Sequence, residues 1–241
     1  MENPLLIGVF PGLRETEHTF DYLGVAVFPL SIGAAPTAGI LPVPPPLQPV
    51  LPGGLRRGGE VAVEDADLPL LLALAAGAAG SALWAVVGLP QLGGLAAADA
   101  GLDLDRGLWV DAPGDQWAQT VAVVAESVPV VLLGSPGRVP ERTGRRLSAV
   151  LRRTGAVLLV AGPWEGAAVR LRVGRSAWEG VGSGHGLLQR RRVEVHGWGR
   201  GAASAGSSTV VWLPGPDGQI AAVQRPAEQG GRRLTGIAGT G

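Results

Sequence analysis

Residues 53–80, GGLRRGGEVAVEDADLPLLLALAAGAAG, read as a strand, a short loop and a helix. Val61-Ala62-Val63 is a short apolar run after a Gly-rich entry, and Leu68 to Ala79 is apolar nearly all round, which suits a helix buried on both sides. Asp67 is placed to cap that helix, with Pro69 in its first turn, where a missing N–H does no harm. A phosphate-cradling loop at such a junction reads GxxxxGK[ST], because backbone N–H groups must wrap the phosphate oxygens and a lysine must reach them. Here the junction is Glu64-Asp65-Ala66-Asp67-Leu68-Pro69. Three carboxylates stand where an anion would sit, no glycine lets the backbone close around it, and Pro69 removes a donor. The chain contains no lysine at all, so none can substitute from elsewhere. The loop has the location of a phosphate site and the chemistry to repel one.

The surrounding pattern continues as an α/β alternation. Strand Leu83–Gly88 leads to a short helix around Leu92–Ala100, Trp109-Val110 is a further strand, and Asp115 is placed to cap a helix over Gln116–Glu126. Pro129 to Leu133 is a continuous apolar strand of the kind covered on both faces. Pro140 opens the next helix, Gly155 closes it, and Ala156 to Ala161 is the last strand of the unit. From Ala168 the period changes to two: Val169, Leu171 and Val173 alternate with Arg170 and Arg172, and Arg191, Val193 and Val195 alternate with Arg190, Arg192 and Glu194, with Gly180–Gly186 as the connection and Val210–Leu213 as a third strand. These read as an antiparallel extension of a mostly parallel sheet. Outside this unit, Leu5–Phe10 and Val25–Leu30 have strand-like composition, and Leu41 to Pro46 reads as an extended Pro-rich linker. The expected organisation is therefore an N-terminal extension and linker over 1–50, an α/β core over 51–166, an antiparallel extension over 167–213, and a flexible Gly/Arg/Gln-rich tail over 214–241.

Composition narrows the function classes. The absence of cysteine excludes disulfides and zinc thiolate sites and suits a reducing cytoplasm. His18, His185 and His196 have no ligand spacing, and His185 beside Ser183 lacks the third group that a nucleophile and base require. No catalytic, cofactor or metal site is expected. Leu68 to Ala98 carries no charge, but glycines and Pro90 divide it into pieces of helix and strand length, so a buried α/β core is the expectation rather than a membrane span. The zero formal net charge hides a polarity: residues 1–137 hold 4 Arg against 14 Asp/Glu (−10), and residues 138–241 hold 16 Arg against 6 Asp/Glu (+10). The basic half has the chemistry to meet an acidic partner or nucleic acid. On the helix at 140–154, Arg142, Arg145, Arg146, Arg152 and Arg153 fall within one sector about 120° wide, while Leu147, Val150 and Leu151 fall on another that reads as core. With Arg190, Arg191 and Arg192, and with Trp164, Trp178 and Trp198 near turns, they are the candidate partner- or DNA-binding residues.

The order of these elements, from GGLRRGGEVAVE through AVVGL, AAADAGLDLDRGLWV, PVVLL and AVLLVAG to VRLRV and RRRVEV, is similar to the RecA-like core over roughly residues 51–213. More narrowly, LPGGLRRGGEVAVE, SPGRVPERTGRRL, GSGHGLLQRRRVEV and VWLPGPDG resemble the actinobacterial ImuA-type (ImuA-prime) accessory proteins of the DNA-damage mutasome. That resemblance implies an ImuB-like Y-family polymerase homologue as partner, a DnaE-type error-prone polymerase reached indirectly, and further contacts to RecA or DNA. The departures from an active recombinase are the degenerate loop at 64–69, a PVVLL strand ending in Gly134-Ser135 where magnesium binding needs an acidic residue, and only Pro163-Trp164-Glu165-Gly166 where recombinases carry a long DNA-binding loop. The expectation is a non-catalytic, cytoplasmic adaptor. A DNA-dependent ATPase and a direct DNA-binding protein are the alternatives.

Overall fold

The computed structural model describes residues 39–182, 185–200 and 205–223. The anticipated strand–loop–helix is β3 (Glu60–Val63) followed by α1 (Leu68–Ala79). The chain continues through β4 (Trp84–Val87), α2 (Gly94–Asp99), β5 (Gly107–Val110), α3 (Trp117–Val124), β6 (Val130–Leu133), α4 (Glu141–Thr154) and β7 (Val157–Ala161). It then enters β8 (Val169–Gly182), β9 (His185–Gly199), β10 (Ser207–Trp212) and β11 (Ala221–Ala222). The nine-stranded sheet has the order β11-β10-β9-β8-β3-β7-β6-β4-β5. One apolar layer packs α1 and α2 on one face, and a second, around Val121, Val124, Leu147 and Leu151, packs α3 and α4 on the other. The RecA-like α/β architecture read from the order of elements is the one observed. Among the described residues, no helix is long and apolar enough to cross a membrane.

Five expectations need correction. The Pro-rich segment is no linker. Leu41, Val43, Leu47 and Val50 are buried, and β1 (Ile40–Leu41) pairs antiparallel with β2 (Leu55–Arg56) in a small second sheet. The ring of Pro44 lies so close to α1 that a Cβ at Gly77 would fall 2.4 Å from its Cδ. A helix apolar all round needs a second cover besides the sheet, and this strap supplies it.

Strand β8 is also not antiparallel to the core. Val169 and Leu171 pair parallel with Val61 and Val63, and the antiparallel part begins only at β9. Period-two alternation does not distinguish parallel from antiparallel pairing, and parallel neighbours usually require a crossover of about a dozen residues or more. Residues 162–168 cross without a helix by burying Trp164 and Ala167 in the α3/α4 layer.

The Gly-rich stretch 180–186 is largely strand rather than connection: pairing runs out to Val181↔Gly186 and Gly182↔His185. The tail begins later than residue 214, because Ala221 and Ala222 pair with Trp212 and Val211, and the Pro214 carbonyl accepts from the Arg191 N–H at 3.0 Å. Asp115 caps nothing; it sits in a 3-10 turn, and α3 starts at Trp117 after Gln116 with no side-chain cap. The suggested strands at 5–10 and 25–30, His18, Ser183 and the tail beyond 223 lie outside the described residues.

Candidate functional site

The loop from β3 to α1 leaves the sheet at the carboxyl ends of the parallel strands, where open α/β sheets bind their ligands. Backbone geometry makes it tight. The Glu64 N–H donates to the Leu171 carbonyl, the Ala66 N–H donates to the Val63 carbonyl, both at 2.9 Å, and Ala66 adopts a left-handed φ of 54°. A non-glycine residue in that region costs roughly 1–2 kcal/mol, so the turn is held by its surroundings. Asp67 caps α1, its Oδ1 accepting from the Leu70 N–H at 3.0 Å.

The hairpin β8–β9 supplies those surroundings. Arg191 Nη1 lies 2.7 Å from Asp67 Oδ2, with the two side chains only 17% and 9% exposed. Arg172 Nη2 reaches Glu64 Oε2 at 3.0 Å, and Arg170 Nε stands 3.6 Å from Glu64 Oε1. Asp65 Oδ2 accepts from the Val173 N–H at 2.9 Å. All three carboxylates of the loop are therefore engaged by the basic half of the chain, and the two oppositely charged halves of the sequence meet here. The guanidinium groups of Arg172 and Arg191 form charge-assisted bonds with a carboxylate of the kind they would make with a phosphate, while Arg170 adds its charge from 3.6 Å.

The neighbouring strand ends are equally closed. At Gly134, after β6, a Cβ would fall 1.8 Å from the carbonyl oxygen of Gly88, so the backbone as it stands excludes any side chain at the position where a magnesium-binding carboxylate would stand. A Cβ at Gly162, after β7, would meet Ser135 at 3.0 Å. In the segment that follows, the Trp164 indole N–H donates to the carboxylate of Glu60, a buried residue that also accepts from the Ser148 hydroxyl. Trp117 packs edge-on against Trp164 at 6.2 Å between ring centroids. Among the described residues, no group of three or more His, Asp or Glu is placed to hold a metal ion.

The candidate residues thus separate into distinct places. Trp164 is no surface anchor, being 5% exposed, whereas Trp178 is 48% exposed on β8 and Trp198 is half-buried beneath Arg172, whose Cζ lies 5.6 Å from its ring centroid. Arg191 is committed to Asp67. Arg190 donates to Glu179 Oε2 from Nε and Nη2, at 3.0 and 2.8 Å, and stacks 4.1 Å above the Trp212 ring. Arg192 is exposed and forms no ion pair among the described residues. The arginines of α4 also divide. Arg142, Arg146 and Arg153 border a groove against α3, whereas Arg145, paired with Glu141 at 3.3 Å, and Arg152 lie outside it. Sequence reasoning missed the Asp67–Arg191 pair, which spans 124 residues; the polarity of charge along the chain was its only signal.

Comparison with known proteins places the chain as follows. The family model described as the MT3502 N-terminal domain matches residues 49–166. The uncharacterized protein Rv3395c of Mycobacterium tuberculosis (strain ATCC 25618 / H37Rv) is 34% identical over 154 residues, covering 59% of this chain and 74% of that protein. Among solved structures, the crystal structure of the RadB recombinase superposes with a TM-score of 0.56 at 11% identity, covering 75% of this chain and 97% of that one. At that identity the likeness concerns the fold alone.

Proposed function

The chain belongs to the family of Rv3395c, and on that premise we propose that it is a non-catalytic RecA-like adaptor of the damage-induced translesion machinery. One observation carries the reading: the loop that would cradle a nucleotide's phosphates holds Glu64, Asp65 and Asp67, and their charges are taken up by Arg170, Arg172 and Arg191 of the same chain and by the Val173 N–H. A triphosphate at this place would face three carboxylates, would find no lysine, and would have to displace an ion pair that is mostly buried. The backbone-filled position at Gly134 and the closed segment 162–168 support the same reading, since one leaves no room for a metal-binding carboxylate and the other no loop to track a DNA strand.

The chain acts through its outer faces. The resemblance of its segments to ImuA-prime proteins makes an ImuB-like Y-family polymerase homologue the direct partner, with a DnaE-type polymerase reached through it and RecA as a further contact. Two measurements test the proposal. Isothermal calorimetry with ATP and magnesium is expected to show no binding; micromolar, magnesium-dependent affinity would overturn the reading in favour of a DNA-dependent ATPase. A pull-down with the Y-family homologue is expected to retain it, and loss of that capture by a correctly folded chain would remove the adaptor role. Truncations for this experiment should end after Val223, because β11 and Pro214 belong to the sheet.

A further inference from the structure

Helices α3 and α4 lie side by side on the outer face of the sheet and leave an open groove of about 1150 Å³ between them. Its lining includes the aliphatic side chains of Ala122, Val123 and Val150, together with Arg142, Arg146 and Arg153 from α4. Val123 is 56% exposed although its neighbours Val121 and Val124 are buried, so an aliphatic side chain borders the groove with nothing over it among the described residues. Arg142 and Arg146 are exposed and have neither an ion-pair nor a hydrogen-bond partner among those residues, whereas Arg153 shares its charge with Glu126 at 2.9 Å. At 100° per residue the three arginines fall within about 40° of one another, in a line about 16 Å long. Arg145 and Arg152 depart from that line, which is why the groove contains only part of the arginine stripe.

We infer that this groove is the docking site for an amphipathic helix of a partner protein, with an apolar stripe against Val123 and Val150 and acidic residues spaced i, i+4 and i+11 opposite Arg142, Arg146 and Arg153. The inference deepens the adaptor reading and rests on it. Charge complementarity selects the class of partner: two uncompensated guanidinium groups stand beside aliphatic lining residues, and an acidic amphipathic helix satisfies both at once. Nucleic acid fits less well. A phosphate backbone has no use for the apolar lining.

The test uses the full chain and a fluorescein-labelled helical peptide of about six turns, with leucines on one stripe and glutamates at i, i+4 and i+11. Its controls are a lysine-substituted counterpart and a short DNA duplex. The acidic peptide is expected to bind with micromolar Kd, and Val123→Arg or the pair Arg142→Glu/Arg146→Glu is expected to weaken it about tenfold or more, as central contacts do. The reversed pair is also expected to switch preference to the lysine peptide, a gain that a misfolded variant would not show. Equal binding of the two peptides, indifference to Val123→Arg, tighter binding of the duplex at the same residues, or self-association of the chain that Val123→Arg abolishes would each overturn the assignment. If the peptides fail while the Y-family homologue is still captured, the groove assignment falls and the adaptor reading stands; magnesium-dependent nucleotide binding would remove the adaptor reading and the groove assignment with it.

Discussion

Replacing Arg191 with methionine tests whether the loop carboxylates hold the hairpin. The Arg191–Asp67 pair is mostly buried, so removing the guanidinium strands a carboxylate whose other bond is the cap to Leu70 N–H. Breaking a buried pair from one side costs about 3–5 kcal/mol, and the surviving cap bond places the expectation near the lower end, about 3 kcal/mol. Arg172 is 59% exposed, and its pairing with Glu64 is screened by solvent, so Arg172→Met should cost at most about 1 kcal/mol. For a chain of this size, about 2–4 °C per kcal/mol translates the first loss into a Tm fall of about 6–12 °C. Urea denaturation gives the free energies, and a double-mutant cycle with Asp67→Asn isolates the charge, because asparagine keeps the helix cap. The expected coupling is about 2 kcal/mol and, for a buried pair, nearly insensitive to salt. Coupling below about 0.5 kcal/mol, or equal losses for Arg191→Met and Arg172→Met, would refute the claim that the Asp67–Arg191 pair ties the loop to the hairpin.

Three further outcomes are expected. Gly77→Ala should lower stability by about 1–2 kcal/mol despite the better helix former, because the new methyl meets Pro44 Cδ at 2.4 Å; combining it with Pro44→Ala should restore part of the loss in urea midpoints. Trp164→Phe should cost about 1–3 kcal/mol, since it leaves the buried Glu60 carboxylate without its indole donor, and thermal melts would measure it. Gly134→Asp should give a strongly destabilised chain with no magnesium affinity by calorimetry, because a Cβ there strikes the Gly88 carbonyl at 1.8 Å; a stable, metal-binding variant would show that the strand ends can reopen.

The sequence by itself determined the strand–loop–helix at 60–79, the order of α/β elements through Ala161 and the ends of α4, because those signals are local. Apolar runs of strand length, a capping Asp67 and a left-handed Gly155 act on their own neighbourhood whatever the rest of the chain does. The replacement of phosphate-binding chemistry by Glu64, Asp65 and Asp67 was legible in the same way. What answers those carboxylates was decided only in three dimensions, since Asp67 and Arg191 meet across 124 residues and the identity of a partner so distant leaves no periodic trace. Tertiary packing likewise turned a Pro-rich stretch into a cover for α1, made β8 parallel by burying Trp164, and divided one arginine stripe between an open groove and an outer face. In each of these cases the deciding term is the burial or pairing of a surface supplied by a remote segment, which no window of neighbouring residues contains.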